Sequence, residues 1–227
     1  WDDYSLEEAM KIKEASNGDV EVVVVSIGPE RVDESLRKCL AKGADRALRV
    51  WDDAIEGSDS SVMARLLAAV VRKEAPDMVF AGVQSSDHAF AATGIGLAGE
   101  LGWPHAAVVN ALDYAPGARQ ATLKRELEGG VSQSVTLQCP AVLTIQLGIN
   151  TPRYASLRGI KQANAKPIDV LGLDDLGVPA STVGVDASLS RVRRMYIPPK
   201  GRAQMIEGSP DQQAARLVEI IREFKGA

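Results

Sequence analysis

Cysteine and histidine are almost missing from this chain of 227 residues, which holds only Cys39, Cys139, His88 and His105 of the two types. Two cysteines cannot build a disulfide framework or a thiolate zinc site, and two histidines are too few for a histidine-based metal centre. So little cysteine fits a reducing compartment. Lys and Arg number 26 against 30 Asp and Glu, a net charge of -4, so there is no basic excess of the kind that nucleic-acid binding requires. No apolar run is long enough to span a bilayer and none reads as a signal peptide, so the expectation is a cytoplasmic protein without membrane insertion. The phosphate-binding patterns GxxxxGK[ST] and GxGxxG are both absent, and no nucleophile, base and orienting group can be assembled into a catalytic set.

What is present is an alternation of helical and strand-like segments. Residues 5–15 read as a helix, with Ser5 and Glu8 as a capping box and Leu6, Ala9, Met10 and Ile12 as its apolar stripe. Asn17 and Gly18 stop it. The β-branched run 21–27 predicts a strand buried on both faces. Helices are expected over 32–42, closed by Gly43, and over 60–74 and 89–101; strands over 46–50 and 78–81. This order predicts βαβ units and an open, mostly parallel α/β sheet with flanking helices. After Trp103-Pro104, four strand-like segments at 106–114, 121–127, 133–137 and 141–146 are joined by the turn signals Pro116-Gly117 and Gly129-Gly130, which predicts an added antiparallel part.

From Asn150 regular structure is expected to fade through a stretch punctuated by Pro152, Pro167, Pro179, Pro198 and Pro199. Ser209 as N-cap and Pro210 at the first helical position then open a last helix, with Ala214, Leu217, Val218, Ile221 and Phe224 on one face. The chain is therefore read as an α/β domain over 1–166 and an extended arm with a C-terminal helix over 167–227 that docks on another body. The first residues lead directly into a helix, where an open parallel sheet begins with a buried strand, so a preceding segment is expected.

The run Val79-Phe80-Ala81-Gly82 passes into Val83-Gln84-Ser85-Ser86-Asp87-His88 and then into a helix. A strand-to-helix loop of this composition offers free amides and small hydroxyls at a helix N-terminus, which suits a nucleotide phosphate; an ordinary polar βα loop is the competing reading. His88 suits a helix start or a phosphate contact better than general-base catalysis. Asp87 can accept from a ribose hydroxyl or cap the helix, and Thr93 can reach a phosphate or cap locally. Ile27 ends a strand at the edge where open α/β sheets bind nucleotides.

Four strings together resemble the β subunit of electron transfer flavoprotein. They are Tyr4-Ser5-Leu6-Glu7-Glu8-Ala9; Gly43-Ala44-Asp45-Arg46; Gly82-Val83-Gln84-Ser85-Ser86-Asp87 with Thr93-Gly94; and Arg125-Glu126-Leu127-Glu128-Gly129-Gly130 onward through Pro140-Ala141-Val142-Leu143-Thr144 to Asn150-Thr151-Pro152-Arg153-Tyr154-Ala155-Ser156-Leu157. Trp1-Asp2-Asp3, Leu157-Arg158-Gly159-Ile160-Lys161-Gln162 and Arg193-Arg194-Met195-Tyr196-Ile197-Pro198 resemble the methylotroph type, which takes electrons from trimethylamine dehydrogenase. The resemblance implies an adenine nucleotide α-hydrolase-like fold and a heterodimer whose α subunit holds most of a redox-active FAD. It also implies structural AMP in this subunit, held by Ile27, Gly82, Val83, Gln84, Ser85, Ser86, Asp87 and Thr93, with Trp1 near the flavin and a strand and hairpin preceding Trp1. Tyr154, Leu157 and Arg158 are implied as the segment that a flavin dehydrogenase recognises, with Leu157 as the apolar anchor and Tyr154 at the base of the loop.

Three departures stand out. The family's Gly-Lys-Gln is here Gly82-Val83-Gln84, which removes a lysine from the nucleotide; Trp1 replaces the aromatic before the first helix; and the lysine-rich tail is thinned to Lys161 and Lys166. The resemblance thus points to an electron carrier, not an enzyme, with a second FAD in place of AMP as a variant. The rival is a stand-alone adenine-nucleotide enzyme or sensor of the universal-stress or ATP-pyrophosphatase type. A pyrophosphatase needs an SGGxDS-like loop after its first strand, and none is visible.

Overall fold

A computed structural model describes residues 1–199, 201 and 203–225, and it divides into two units, Trp1–Arg191 and Val192–Ala227. The first unit contains two sheets. β1 (Val23–Ile27), β2 (Arg46–Val50) and β8 (Asp169–Leu171) form a parallel sheet in the order β1-β2-β8. The second has the order β3-β7-β4-β5-β6, from β3 (Met78–Gly82), β4 (His105–Asp113), β5 (Gln120–Glu126), β6 (Ser132–Gln138) and β7 (Ala141–Ile145). β7 lies between β3 and β4 and runs parallel to both, so segment 141–145 belongs to the parallel part; only β4, β5 and β6 form the antiparallel extension. β7 is buried along its whole length, as the middle of a covered parallel sheet demands.

Two helices tie the sheets together. α1 (Asp2–Ala15) places Leu6 and Met10 in a core with Val24 of β1, while its Tyr4 packs on the cluster that takes in Met78 and Phe80 of β3. α3 (Ser60–Glu74) puts Val62, Leu66 and Val70 against Val23, Val25 and Ile27, and turns Ala64, Ala68 and Val71 toward Val79 and α4 (Thr93–Leu101). Because strand side chains alternate, each of the two sheets meets these helices with both of its faces. Small residues permit the closest contacts. A Cβ on Gly94 would stand 2.6 Å from Thr144 Cγ2 of β7, and one on Gly96 would stand 3.1 Å from Ala64 Cβ. A larger residue at Gly94 would push α4 off the sheet.

Several sequence expectations shift in detail. α1 starts at Asp2, and Ser5 is buried within it, so the Ser5/Glu8 capping box does not form; the two aspartates of the first turn favour the earlier start through the helix dipole. β1 is half-buried rather than buried on both faces. α4 begins at Thr93 and not near 89, because Ala89 and Ala91 take left-handed backbone angles of +52° and +51°, which no helix accepts. A helix absent from the sequence reading, α5 (Leu157–Ala165), follows Ser156, whose hydroxyl accepts from the Gly159 amide at 3.0 Å. α5 packs on α2 (Asp33–Lys42), where Gly159 leaves no room for a Cβ beside the Ala41 carbonyl.

Residues 169–191, expected from the sequence to belong to the arm, lie within the first unit. Besides β8 they contribute buried Leu173 and Val183 to the α3 core. Asp59 fastens the end of this segment. Its carboxylate accepts from the Ser61 and Val62 amides at 3.0 and 3.1 Å, capping α3, and from the Ser190 amide and hydroxyl at 2.8 and 2.9 Å. The Asp59 amide donates to Ser188 Oγ at 2.9 Å.

In the second unit, α6 (Pro210–Lys225) opens with a reciprocal cap: Ser209 N donates to Gln212 Oε1 at 2.9 Å and Gln212 N to Ser209 Oγ at 3.4 Å. Leu217, Val218, Ile221 and Phe224 of α6 are all exposed.

Burial raises the Asp59 pKa, but the hydrogen bonds from Ser61, Val62 and Ser190 outweigh it and hold the carboxyl well below the usual range. A depressed folded-state pKa stabilises above the unfolded value near 3.9 and is lost as pH falls. Asp59→Ala is expected to lower stability by about 1–2 kcal/mol at pH 7, the usual range for losing an N-cap. Urea unfolding should show that gap narrow as pH drops below about 4; equal stability of the two proteins at pH 7 would contradict the assignment.

Candidate functional site

The residues singled out from the sequence fall in two places. The first is the C-terminal end of the strands. Ile27 ends β1, Gly82 ends β3, and the two belong to different sheets. Val83 N donates to the Ile145 carbonyl at 3.3 Å, which extends the strand one residue beyond Gly82. Gln84 is half-buried, while Ser85, Ser86, Asp87 and His88 are exposed; Thr93 is half-buried as the first residue of α4. α4 has Ala92 at its N-cap and no side-chain cap. The first amides of α4 thus have no side-chain partner, and the chain leading into this helix carries the exposed hydroxyls of Ser85 and Ser86.

Electrostatics within the loop are local. The Asp87 pKa is held below its usual value, first by the Ser85 hydroxyl and then by the His88 amide, which donates to Asp87 Oδ1 at 2.7 Å. His88 stacks on Phe90 with ring centroids 5.5 Å apart. Gly82 is crowded by chain rather than open: its amide donates to Asp2 Oδ1 at 2.9 Å, and a Cβ there would lie 2.6 Å from Trp1 Cβ. Trp1 is itself fixed, its indole N–H donating to Gln146 Oε1 at 3.2 Å. Among the described residues no group of three His, Cys, Asp or Glu side chains is placed to hold a metal.

The second place is segment 150–158. Leu157, at the first position of α5, is 88% exposed, and Tyr154 is 96% exposed. Tyr154 therefore does not sit at the base of the loop. That role falls to Arg153, a residue outside the sequence expectation for this loop. Arg153 Nε donates to Glu7 Oε2 at 2.8 Å and Nη2 to Glu7 Oε1 at 2.9 Å, a paired contact with a glutamate that α1 buries. Arg153 also reaches Glu14 two turns along the same face, and its backbone amide donates to Glu7 Oε2 at 3.0 Å. Asn150 Nδ2 adds bonds to the Tyr4 carbonyl and Glu8 Oε2, each 2.9 Å. The guanidinium hydrogen bonds keep both Glu7 and Glu14 below the usual carboxylate range. A signal was present in the sequence: Glu7 and Glu14 stand seven residues apart, two turns on one side of a helix.

Residues 1–176 match the family described as electron transfer flavoprotein domain. The electron transfer flavoprotein subunit beta of Methylophilus methylotrophus is 70% identical over 227 residues, covering all of this chain and 86% of that protein. The caffeyl-CoA reductase-Etf complex subunit CarD of Acetobacterium woodii is 35% identical over 225 residues, covering 98% of this chain and 84% of that one. The mitochondrial electron transfer flavoprotein subunit beta of Arabidopsis thaliana is 35% identical over 215 residues, with 95% and 82% covered.

Proposed function

This chain belongs to the electron transfer flavoprotein family as a β subunit, and from that premise we propose that it helps carry electrons from a trimethylamine dehydrogenase-like flavin dehydrogenase to a downstream acceptor. A β subunit of this family works with an α subunit and is an electron carrier, not an enzyme. FAD, when bound to the heterodimer, supplies the redox centre. The α subunit would hold most of it, with Trp1 of this chain as a neighbour. AMP would be held in this subunit at the ends of β1 and β3, by Ile27 and by Val83, Gln84, Ser85, Ser86, Asp87 and Thr93. The uncapped start of α4 supports this reading, since the amides of a helix's first turn attract an anion. No described helix is long and apolar enough to cross a membrane, and the cytoplasm is the compartment we assign.

One observation carries the electron-transfer reading: Leu157 stands almost fully exposed beside Arg158 on a segment that is otherwise tied down. An apolar side chain presented this way serves a brief encounter. It enters a pocket on the donor, Arg158 steers the approach, and a small interface lets the partner leave quickly. The exposed face of α6, with Leu217, Val218, Ile221 and Phe224, supports a second contact of the opposite kind, a lasting one with the α subunit.

Deleting residues 209–227 should weaken assembly of the heterodimer in size-exclusion or sedimentation measurements; a truncated chain that assembles with full FAD content would remove the arm from the interface. Leu157→Ala should lower the affinity for the donor about tenfold or more, since full burial of such a side chain contributes about 1.5–3 kcal/mol. Flavin content should hold. The measurement is donor-to-carrier electron transfer as a function of carrier concentration, and superimposable curves for the two proteins would place recognition elsewhere.

A further inference from the structure

Leu157 can act as an anchor only if the chain before it is held, because an apolar side chain on a loose loop must be ordered at the moment of docking. We propose that Arg153 is the positioning residue of donor recognition: clamped to Glu7 and Glu14 of α1, it holds segment 150–156 so that Leu157 is presented ready to dock. The inference rests on the recognition reading given above and extends it to a residue that is bound to α1.

The geometry divides the segment into a held part and a presented part. Arg153 is pinned at its side chain, by Glu7 and Glu14, and at its backbone, by the amide bond to Glu7 Oε2 at 3.0 Å. Three residues upstream, Asn150 is tied to α1 at the Tyr4 carbonyl and at Glu8. Downstream, the Ser156 hydroxyl caps α5, and Arg37 of α2 donates to the Ala163 carbonyl at 2.7 Å near the far end of that helix. Between these fixed points Tyr154 and Leu157 are the large apolar side chains that stand nearly free of the protein. Arg153 is 29% exposed and Glu7 10%, so the inner half of the clamp is shielded from solvent, whereas Glu14 at 59% forms an outer half. The bidentate fork is a geometry that guanidinium makes and an ammonium does not, so lysine can keep the charge at 153 but not both contacts.

The test is a cycle on the heterodimer with Arg153→Gln, Leu157→Ala and the double variant, each followed by donor-to-carrier electron transfer against carrier concentration. Arg153→Gln should raise the half-saturating concentration about five- to tenfold, equivalent to about 1–1.4 kcal/mol, with the rate at saturation and the FAD content unchanged. In the Leu157→Ala background the same change should add less than about twofold, since there is no longer an anchor to position. Arg153→Lys should fall between wild type and Arg153→Gln. Hydrogen exchange of the free heterodimer should speed up at residues 154–157 in Arg153→Gln and not elsewhere in the sheets.

If Arg153→Gln raises the half-saturating concentration equally in both backgrounds, or leaves it unchanged alone, the positioning role is wrong while Leu157 recognition stands. If Leu157→Ala has no effect by itself, the recognition reading fails and takes this inference with it. Should Arg153→Gln not assemble, Glu14→Gln decides the matter, because it opens only the exposed half of the clamp. It should then give about a two- to threefold rise, equivalent to about 0.4–0.7 kcal/mol, and no rise would overturn the proposal.

Discussion

The pairing of Glu7 with Arg153 joins the first helix of the chain to a segment 146 residues away, and much of the molecule is organised around it. α1 reaches both sheets through Leu6, Met10 and Tyr4, so whatever α1 holds is held relative to the whole first unit. Through Glu7, Glu8 and Glu14 it holds residues 150–153, and through Asp2 it reaches the Gly82 amide at the end of β3. One helix thus touches the end of β3 at its start and segment 150–153 along its length. A buried glutamate without its partner carries a desolvation penalty of several kcal/mol, which makes the pair a strong constraint on where segment 150–156 can lie.

The regular parts of this arrangement were legible in the sequence wherever one physical signal dominated. β2 and α3 occupy the expected residues, the first because the Gly43 stop precedes a short segment with Ala47, Leu48 and Val50, the second because its apolar positions repeat at helical spacing over four turns. The order of elements also disclosed the parallel sheet. The placement of β7 was not legible: strand-like residues after a turn look the same whether the strand pairs with its neighbour or crosses to β3, and only tertiary contact decides. α5 was hidden because Pro152 and Pro167 flank it and its apolar residues are few, yet Ser156 before Leu157 is an N-cap signal that outweighed them. The false capping box at Ser5 shows the reverse case, a correct pattern lying inside a helix that already has acidic residues in its first turn.

At the site, the loop at the end of β3 and the exposure of Leu157 were both anticipated from the sequence and its resemblance. The support beneath Leu157 was not. Arg153 anchors the segment to α1 while Tyr154 and Leu157 beside it remain exposed. The two classes of contact proposed for this subunit follow from the same logic. A single presented leucine suits a partner that must leave, while a helix carrying four exposed apolar side chains suits one that stays.

The central claim is that this β subunit carries AMP at the ends of β1 and β3 within a heterodimer that holds one redox-active FAD. Denaturing the purified heterodimer and separating the released nucleotides by chromatography tests it most directly. The account predicts FAD and AMP in equal amounts, one of each per heterodimer. FAD without AMP, or two FAD per heterodimer, would contradict it.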